Sequence, residues 1–269
     1  MKPSYRDLLC FHIEAQQGMF IEETGGLESG AGVWVFSARE DDPSWNVFYA
    51  LDPVAALREK PRIEQEFRAR GREPVWYLVD GEESALVGTW TRFSGDQWMI
   101  CAAPSASAVC GGLHLRRVQT GAEVARFNQL YCDTLWDGAP DPGAILPIPA
   151  QNIASQDCQP QDCQPQWWGA RNGLETRHWI GSEGMRDVVI LTAISRGGLT
   201  AVYNVGTLPS ERGRGLGSAL MRAVMAAEAR LGAEWFFLGT ERDKPLESFY
   251  RGVGFRTLVS GGYYRKALA

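Results

Sequence analysis

The chain has 269 residues, of which 45% are hydrophobic and 22% are charged, and its formal net charge is −5 at pH 7. A chain of this length can bury a large core without disulfide or metal staples, and its aromatic residues (10 Trp, 11 Phe and 8 Tyr) exclude a generally disordered protein. The acidic excess argues against a nucleic-acid-binding scaffold, which usually carries a strong basic excess.

The sequence also lacks the signals of export and of membrane insertion. Residues 1–10 contain no apolar run long enough for a signal peptide, and no stretch approaches the ~18 apolar residues of a membrane-spanning helix. Six cysteines are too few for a disulfide scaffold in a chain of this size. We therefore expect a cytoplasmic protein with reduced thiols, monomeric or homodimeric, that binds neither nucleic acid nor a membrane.

The first part of the chain shows the mixed pattern of an α/β protein. A helix is predicted at 54–70, where apolar residues recur at helical spacing and Pro61 is the main objection. Runs of apolar and aromatic residues predict strands at 33–36, 75–79, 86–93 and 97–102. The small residues at 104–112 then indicate a boundary between an N-terminal α/β domain (1–112) and a second domain (113–269).

The second part repeats this mixture around an irregular insert. A helix is predicted at 122–136 because its apolar side chains fall on one face. Residues 137–173 form the insert, in which the pentapeptide Gln-Asp-Cys-Gln-Pro occurs twice in tandem at 156–165. The remaining predicted elements are strands at 175–180, 186–195 and 199–208, a helix at 215–231, a strand at 234–239, a short helix at 246–252 and one or two strands at 255–266.

The most informative segment connects the strand that ends at Leu208 to the helix that follows it. Glycines at 213, 215 and 217 remove Cβ atoms where an anion could approach the backbone. The helix start offers unpaired N–H groups and the positive end of the helix dipole, and Arg212 and Arg214 add positive charge. Together these features suit a pyrophosphate group.

Other interpretations of this segment fit less well. A dinucleotide-binding fingerprint needs a third glycine where Ser218 stands, and the acid that ends the next strand, Glu241, lies too far along the chain. A Walker-type loop needs a lysine after its last glycine, and none follows Gly217. A glycine-rich helix start with exposed arginines and no ligand is the third interpretation.

The pattern Arg-x-x-Gly-x-Gly at Arg212, Gly215 and Gly217 resembles the acetyl-CoA motif of the GCN5-related N-acetyltransferase (GNAT) family. Residues 248–255, a helix with Tyr250 followed by Gly-Phe, resemble that family's closing signature. The order of elements over 113–269 is similar as well. The resemblance implies an α/β or α+β fold with a mixed central sheet flanked by helices. It also implies an enzyme that moves an acetyl group from acetyl-CoA directly to a primary amine.

The resemblance further implies which residues would bind acetyl-CoA. The pantetheine arm would pair with the backbone of Val205, Gly206 and Thr207, and an N–H near Val205 would polarise the thioester carbonyl. Tyr250 would be the general acid that protonates the leaving thiolate. The pyrophosphate would lie on the loop and the first helical turn, which comprise Arg212, Gly213, Arg214, Gly215, Leu216, Gly217 and Ser218. No metal is expected.

Two positions depart from the family pattern. Asp243 stands where the family often has an Asn that contacts the pantetheine, so its role in cofactor binding is open. No carboxylate lies on the strand segment 203–207 to act as general base. Among Glu175, His178 and Glu241 we rank His178 first, because its predicted strand faces the middle of the domain. Some family members deprotonate the amine through water, so a missing base does not exclude activity.

These departures support an alternative function, a catalytically inactive acyl-CoA-binding or regulatory module of the same fold. The N-terminal domain is either a degenerate GNAT-like copy, which would make the fold two tandem domains, or an unrelated α/β cap. Its one segment similar to the acetyl-CoA motif lies at 68–73, where Glu73 replaces the last glycine. A carboxylate at that position would repel phosphates, so we expect no cofactor there.

The acceptor is expected to be a small-molecule or peptide amine that the sequence does not identify. Trp167 and Trp168 either line its pocket or anchor the insert. The insert also carries aspartates that would favour a cationic amine if they converge on the site: Asp137, Asp141, Asp157 and Asp162. The spacing of Cys158 and Cys163 with His178 is too loose to predict a zinc site.

Overall fold

The computed structural model describes residues 1–17, 20–38, 41–86, 90–104, 112–135, 173–242 and 245–266. The predictions for the pentapeptide repeat, for the tryptophans, aspartates and cysteines of the insert, and for Asp243 lie outside these residues. No helix of the described part is both long and apolar enough to cross a membrane.

The helices are α1 (Tyr5–Gln16), α2 (Pro53–Arg58), α3 (Lys60–Ala69), α4 (Gly121–Leu135), α5 (Leu216–Arg230) and α6 (Leu246–Val253). The strands are β1 (Glu23–Gly26), β2 (Gly32–Phe36), β3 (Val47–Ala50), β4 (Val75–Val79), β5 (Trp90–Ala102), β6 (His114–Arg117), β7 (Glu175–Glu183), β8 (Arg186–Arg196), β9 (Leu199–Thr207), β10 (Trp235–Glu241) and β11 (Arg256–Lys266). These strands form one sheet in the order β1-β2-β3-β4-β11-β5-β10-β9-β8-β7-β6. The mixed sheet with flanking helices confirms the predicted fold class.

Two parts of the chain follow the same path through this sheet. Each part has a helix, three consecutive strands, a helical crossover to a parallel fourth strand, and a last antiparallel strand. The parallel pair is β3 with β4 in the first part and β9 with β10 in the second. The last strands are exchanged, because β5 pairs with β10 and β11 pairs with β4. The sheet therefore runs without a break across the predicted boundary at 112, and the two parts interlock.

The alternation of side chains along the strands divides the helices between two faces of the sheet. On β8, Val189 and Leu191 pack in the cluster that contains Leu220 and Met221 of α5. Ile190, between them, packs on the opposite face with α4, and α1 lies on that same face further along β8. In the first part, α2 and α3 cover the second side of β3 and β4. Helices α1 and α4 thus share one face, whereas α5 and α6 share the other.

Two predicted elements of the first part are wrong in detail. The single helix at 54–70 is two helices, α2 and α3, which meet at Glu59. Pro61 lies in the first turn of α3, where its missing N–H costs little. The strand pair predicted at 86–93 and 97–102 is the single strand β5, because β11 stays paired with β5 through the predicted turn at 94–96.

Candidate active site

A gap in the sheet opens between the parallel strands β9 and β10. The two strands pair only from Leu199 to Ala201, opposite Trp235 to Phe237. Beyond that point β9 stays bonded to β8 as far as Thr207. No described residue pairs with the other side of β9 over Val205–Thr207, which we call the open edge. Its backbone groups can accept an extended ligand, as an added strand would.

A β-bulge in β9 lies just before this open edge. The register between β8 and β9 shifts between Ile190 and Thr192, and Asn204 has a left-handed backbone with φ of 52°. Such a conformation is uncommon outside glycine, and Asn tolerates it better than most residues. The Asn204 side chain donates from Nδ2 to Oγ1 of Thr192 at 3.2 Å. The sequence motifs do not reveal Asn204, although an asparagine inside a strand is an available signal for a bulge.

The N-terminus of α5 lies just beyond the open edge. Gly213 and Gly215 have φ of 80° and 79°, so the loop needs glycine at both positions. Gly215 is the N-cap, and no described side chain caps the helix. The first intrahelical bond runs from Ala219 to the Gly215 carbonyl at 3.0 Å, so the N–H groups of 216–218 point to the helix end without intrahelical partners. This 15-residue helix therefore offers an anion site.

The two predicted arginines have other partners in the structure. Arg212 donates to the carbonyl of Thr134 at 2.9 Å and to that of Thr207 at 3.3 Å, which joins the end of α4 to β9. Arg214 forms ion pairs with Glu183, at 2.8 Å, and with Glu211. The Arg214 hydrogen bond lowers the pKa of Glu211. Binding of the pyrophosphate by these arginines stays a prediction, and it requires Arg214 to exchange partners.

Tyr250 lies on α6, which packs beside α5 close to the open edge. A Cβ atom on Gly217 would lie 3.3 Å from both Thr207 Oγ1 and Phe249 Cζ, so β9, α5 and α6 meet at this glycine. The ring of Tyr250 lies 5.0 Å from that of Phe249 and 6.2 Å from that of Phe255. Burial raises the pKa of Tyr250 to about 12. Its hydroxyl therefore keeps its proton at neutral pH, as a proton donor must.

His178 lies away from this gap, beneath α4. It is on β7, and β8 separates it from β9, which puts about 10 Å of sheet between its strand and the open edge. Its ring is 4.8 Å from that of Phe127, and its Nδ1 is 2.9 Å from Thr192 Oγ1. Burial lowers the pKa of His178 to about 3, with Arg117 adding to the effect. The sequence predicts His178 as the first candidate for the general base, but this placement favours a packing role. Thr192 Oγ1 links the His178 ring to the Asn204 side chain by hydrogen bonds.

The buried, neutral His178 should make the protein less stable in acid. Its pKa is about 3 in the fold, against 6.5 for an ordinary histidine, so the unfolded chain binds an extra proton as the pH falls from about 6.5 towards 3. Unfolding free energy should fall over that window, by at most about 1.4 kcal/mol per pH unit for one proton. In urea titrations at pH 7, 6, 5 and 4, His178→Gln should show a shallower fall than wild type. The matched control is His114→Gln on the exposed edge strand β6, which should keep the wild-type slope; equal slopes for all three proteins would contradict the assignment.

The first part of the chain has its own counterpart of the loop and helix start. Between β3 and α2 it has only Leu51 and Asp52, and Asp52 Oδ1 accepts from the N–H of Ala55 at 3.0 Å. The start of α2 is thus capped by a carboxylate, whereas the start of α5 has no capping side chain among the described residues. The similar segment at 68–73 is not the counterpart, because it spans the C-terminal end of α3, where helix carbonyls rather than N–H groups are exposed.

Residues 175–257 match the family model described as an acetyltransferase (GNAT) domain. This segment is a GNAT domain. The match covers the open edge, the loop, the start of α5 and Tyr250, so the chain carries a domain of an acyl-transferring enzyme family. The comparison with curated protein sequences finds no match.

Solved GNAT structures share the fold over nearly the whole chain. A GCN5-related N-acetyltransferase from Kribbella flavida is 19% identical with a TM-score of 0.61, and the match covers 96% of this chain and 95% of that one. A GCN5-related N-acetyltransferase from Sphaerobacter thermophilus is 14% identical with a TM-score of 0.58, covering 90% and 84%. A tandem GNAT protein from the clavulanic acid biosynthesis pathway is 10% identical with a TM-score of 0.55, covering 87% and 78%. At these identities the likeness concerns the fold alone.

Within the described residues, no group of three or more His, Cys, Asp or Glu side chains could hold a metal ion. Cys158 and Cys163, the pair considered for zinc, lie outside those residues.

Proposed function

We propose that the chain is an acetyl-CoA-dependent N-acetyltransferase that moves an acetyl group directly to a primary amine. The observation that carries this proposal is the junction of the open edge of β9 with the uncapped start of α5. An extended arm and an anionic group, joined in one ligand, would find their complementary partners side by side there. The match of residues 175–257 to the GNAT domain supports the same ligand.

The proposed roles follow from this placement. The backbone of Val205, Gly206 and Thr207 would pair with the pantetheine arm, and an N–H near Val205 would donate to the thioester oxygen as negative charge develops on it. The N–H groups of 216–218 would hold the pyrophosphate. Tyr250 would give its proton to the departing thiolate, since a phenol within reach can protonate a thiolate in the transition state.

We also propose that the first part of the chain is a GNAT-like copy without its own acetyl-CoA site. Its path through the sheet supports this, because the helix, the three strands, the crossover and the exchanged last strand recur in the same order. Asp52 would repel a phosphate from the start of α2. The acceptor is a small-molecule or peptide amine.

Two measurements on the full chain test the proposed activity. Acetyl-CoA should raise the melting temperature, since a ligand that binds only the folded state at 100 times its Kd adds about 2.7 kcal/mol of stability. NAD⁺ at the same concentration is the control and should produce no shift; stabilisation by NAD⁺ alone would favour dinucleotide binding instead. A panel of primary amines, followed by detection of free thiol, should then identify acceptors. Binding of acetyl-CoA with no thiol release for any amine would favour the inactive acyl-CoA-binding module.

A further inference from the structure

The exchange of last strands places a carboxylate of the first part beside the gap of the second. Asp96 on β5 pairs in register with Glu241 on β10. Glu241 lies four residues beyond Phe237, where the pairing of β10 with β9 ends, so Asp96 is at the wide end of the gap. Val205, on the far side of the gap, lies four residues beyond Ala201, the partner of Phe237. Asp96 and the open edge are therefore level with each other.

The side chain of Asp96 lies on the face of the sheet that carries α1. It shares this face with Trp98, two residues along β5, which packs in the α1 cluster. Tyr263 of β11 donates its hydroxyl proton to Asp96 Oδ2 at 2.6 Å. Asp96 is half-buried, and burial raises its pKa to about 6, against the opposing effect of the Tyr263 hydrogen bond. Tyr250 lies on the other face, with α6, so the two groups flank the gap from opposite sides.

The surroundings of Asp96 suit a cation. Both charged groups that act on its pKa, Asp42 and Glu241, are acidic. Aromatic rings provide the walls, with Tyr5 edge-on to Trp98 at 5.7 Å between centroids. Among the described residues, the titratable groups that face Asp96 from the surrounding elements are Tyr5, Asp42, Tyr49, Tyr77, Glu241 and Tyr263.

The hydroxyl of Tyr5 lies in this region without a hydrogen-bond partner among the described residues. Its oxygen is buried and faces Asp96, Tyr49 and Tyr77. A buried polar group left without a partner costs stability, and a bound ligand with a polar group would satisfy it. This observation is independent of the acidic residues and points to the same space.

We propose that this surface is the acceptor site, that it takes a cationic primary amine, and that Asp96 holds the ammonium group and accepts its proton. The inference rests on the proposed acetyltransferase function and assigns its acceptor class and its missing base. It also gives the first part of the chain a role, since Asp96, Tyr5 and Trp98 all belong to that part.

The proton balance of the step is complete with these groups. The ammonium group gives one proton to Asp96, and the neutral amine then forms the C–N bond to the thioester carbonyl carbon. The C–S bond breaks, and the thiolate takes the Tyr250 proton. The nitrogen loses its second proton as the amide forms, and this proton passes through solvent to the Tyr250 phenolate. Asp96 then releases its own proton to solvent.

Asp96→Asn in the full chain tests the proposal, with the aliphatic amine that wild type acetylates fastest in the panel. The rate kcat/KM should fall about 100-fold or more at pH 7, the range for loss of a general base, while the acetyl-CoA thermal shift is retained. Wild-type kcat/KM should rise with pH through about 6 as Asp96 ionises, and this rise should be absent from the variant. Glu28→Gln is the matched control for loss of one acidic charge, because Glu28 is exposed and pairs with Arg62 of α3, which covers the face of the sheet opposite Asp96; it should behave as wild type.

The variant Tyr263→Phe tests whether Asp96 acts as a base or only as a packing residue. It removes the hydrogen bond that favours the ionised carboxylate, so the rise in kcat/KM should move to higher pH. An unmoved profile in Tyr263→Phe, or a wild-type rate in Asp96→Asn, would overturn this inference and leave the proposed function standing. If wild type acetylates no amine, the proposed function fails, and the inference fails with it.

Discussion

Removal of residues 1–112 should leave the rest of the chain unable to fold. The remaining chain, 113–269, would lack β5, which pairs with β10 from Ala102 to Asp96 and with β11 along most of its length. It would also lack β4, the other partner of β11. Strand β11 would then have no neighbour, and β10 would keep only its three-residue pairing with β9.

The loss of α1 adds to this effect. Ala201 and Phe237 lie in the cluster that α1 covers with Leu8, Leu9 and Phe11, and these apolar groups would face water. Exposed strand edges beside apolar surface favour aggregation. We expect fragment 113–269 to be insoluble, or soluble with no cooperative unfolding transition by circular dichroism and no thermal response to acetyl-CoA.

The matched control is the same fragment produced together with residues 1–112 as a separate chain. If the interlocked sheet is the reason for the failure, the two pieces should associate, unfold cooperatively and respond to acetyl-CoA. A fragment 113–269 that unfolds cooperatively and binds acetyl-CoA alone would contradict the argument.

This interlocking could not be predicted from the sequence. Periodicity identifies a strand and its faces, but it does not name the neighbour, because pairing partners are distant in the chain. Strand β11 follows β10 yet lies between β4 and β5. The predicted turn at 94–96 shows a related error. A Cβ on Gly95 would lie 2.7 Å from the Gly261 carbonyl, so this glycine allows a close approach of two strands rather than a turn.

The loop before α5 could be predicted because its signals are local. Gly213 and Gly215 adopt the positive φ that only glycine adopts easily, and the helix after them has a clear apolar face. Helix α1, by contrast, is not among the predicted elements, although Ser4 and Asp7 form a capping box that marks its start. The proposed acceptor side depends on α1 and β5, so it could not be located before the tertiary structure was known.

Replacing Tyr250 by Phe should lower kcat about 100-fold and leave the affinity for acetyl-CoA within a factor of about three, the lower end of the range for loss of a general acid. The ring would keep its contacts with Phe249 and Phe255, so the α6 packing is retained and only the hydroxyl is lost. Steady-state rates of thiol release with one amine, together with calorimetric titration of acetyl-CoA, check both expectations.

Tyr264→Phe is the control, because Tyr264 is buried on β11 in the cluster beneath α2 and α3, away from the gap. It should keep wild-type kcat.

The placement of Asp96 and Tyr250 on opposite faces makes a further distinction, since Asp96→Asn and Tyr250→Phe should lose activity in different ways. Tyr250→Phe removes the donor to the thiolate but leaves the base, so its kcat/KM should still rise with pH through about 6. Wild-type kcat in Tyr250→Phe would reduce Tyr250 to a packing residue of α6, and loss of the rise in that variant would contradict the division of the acid and base roles between the two faces.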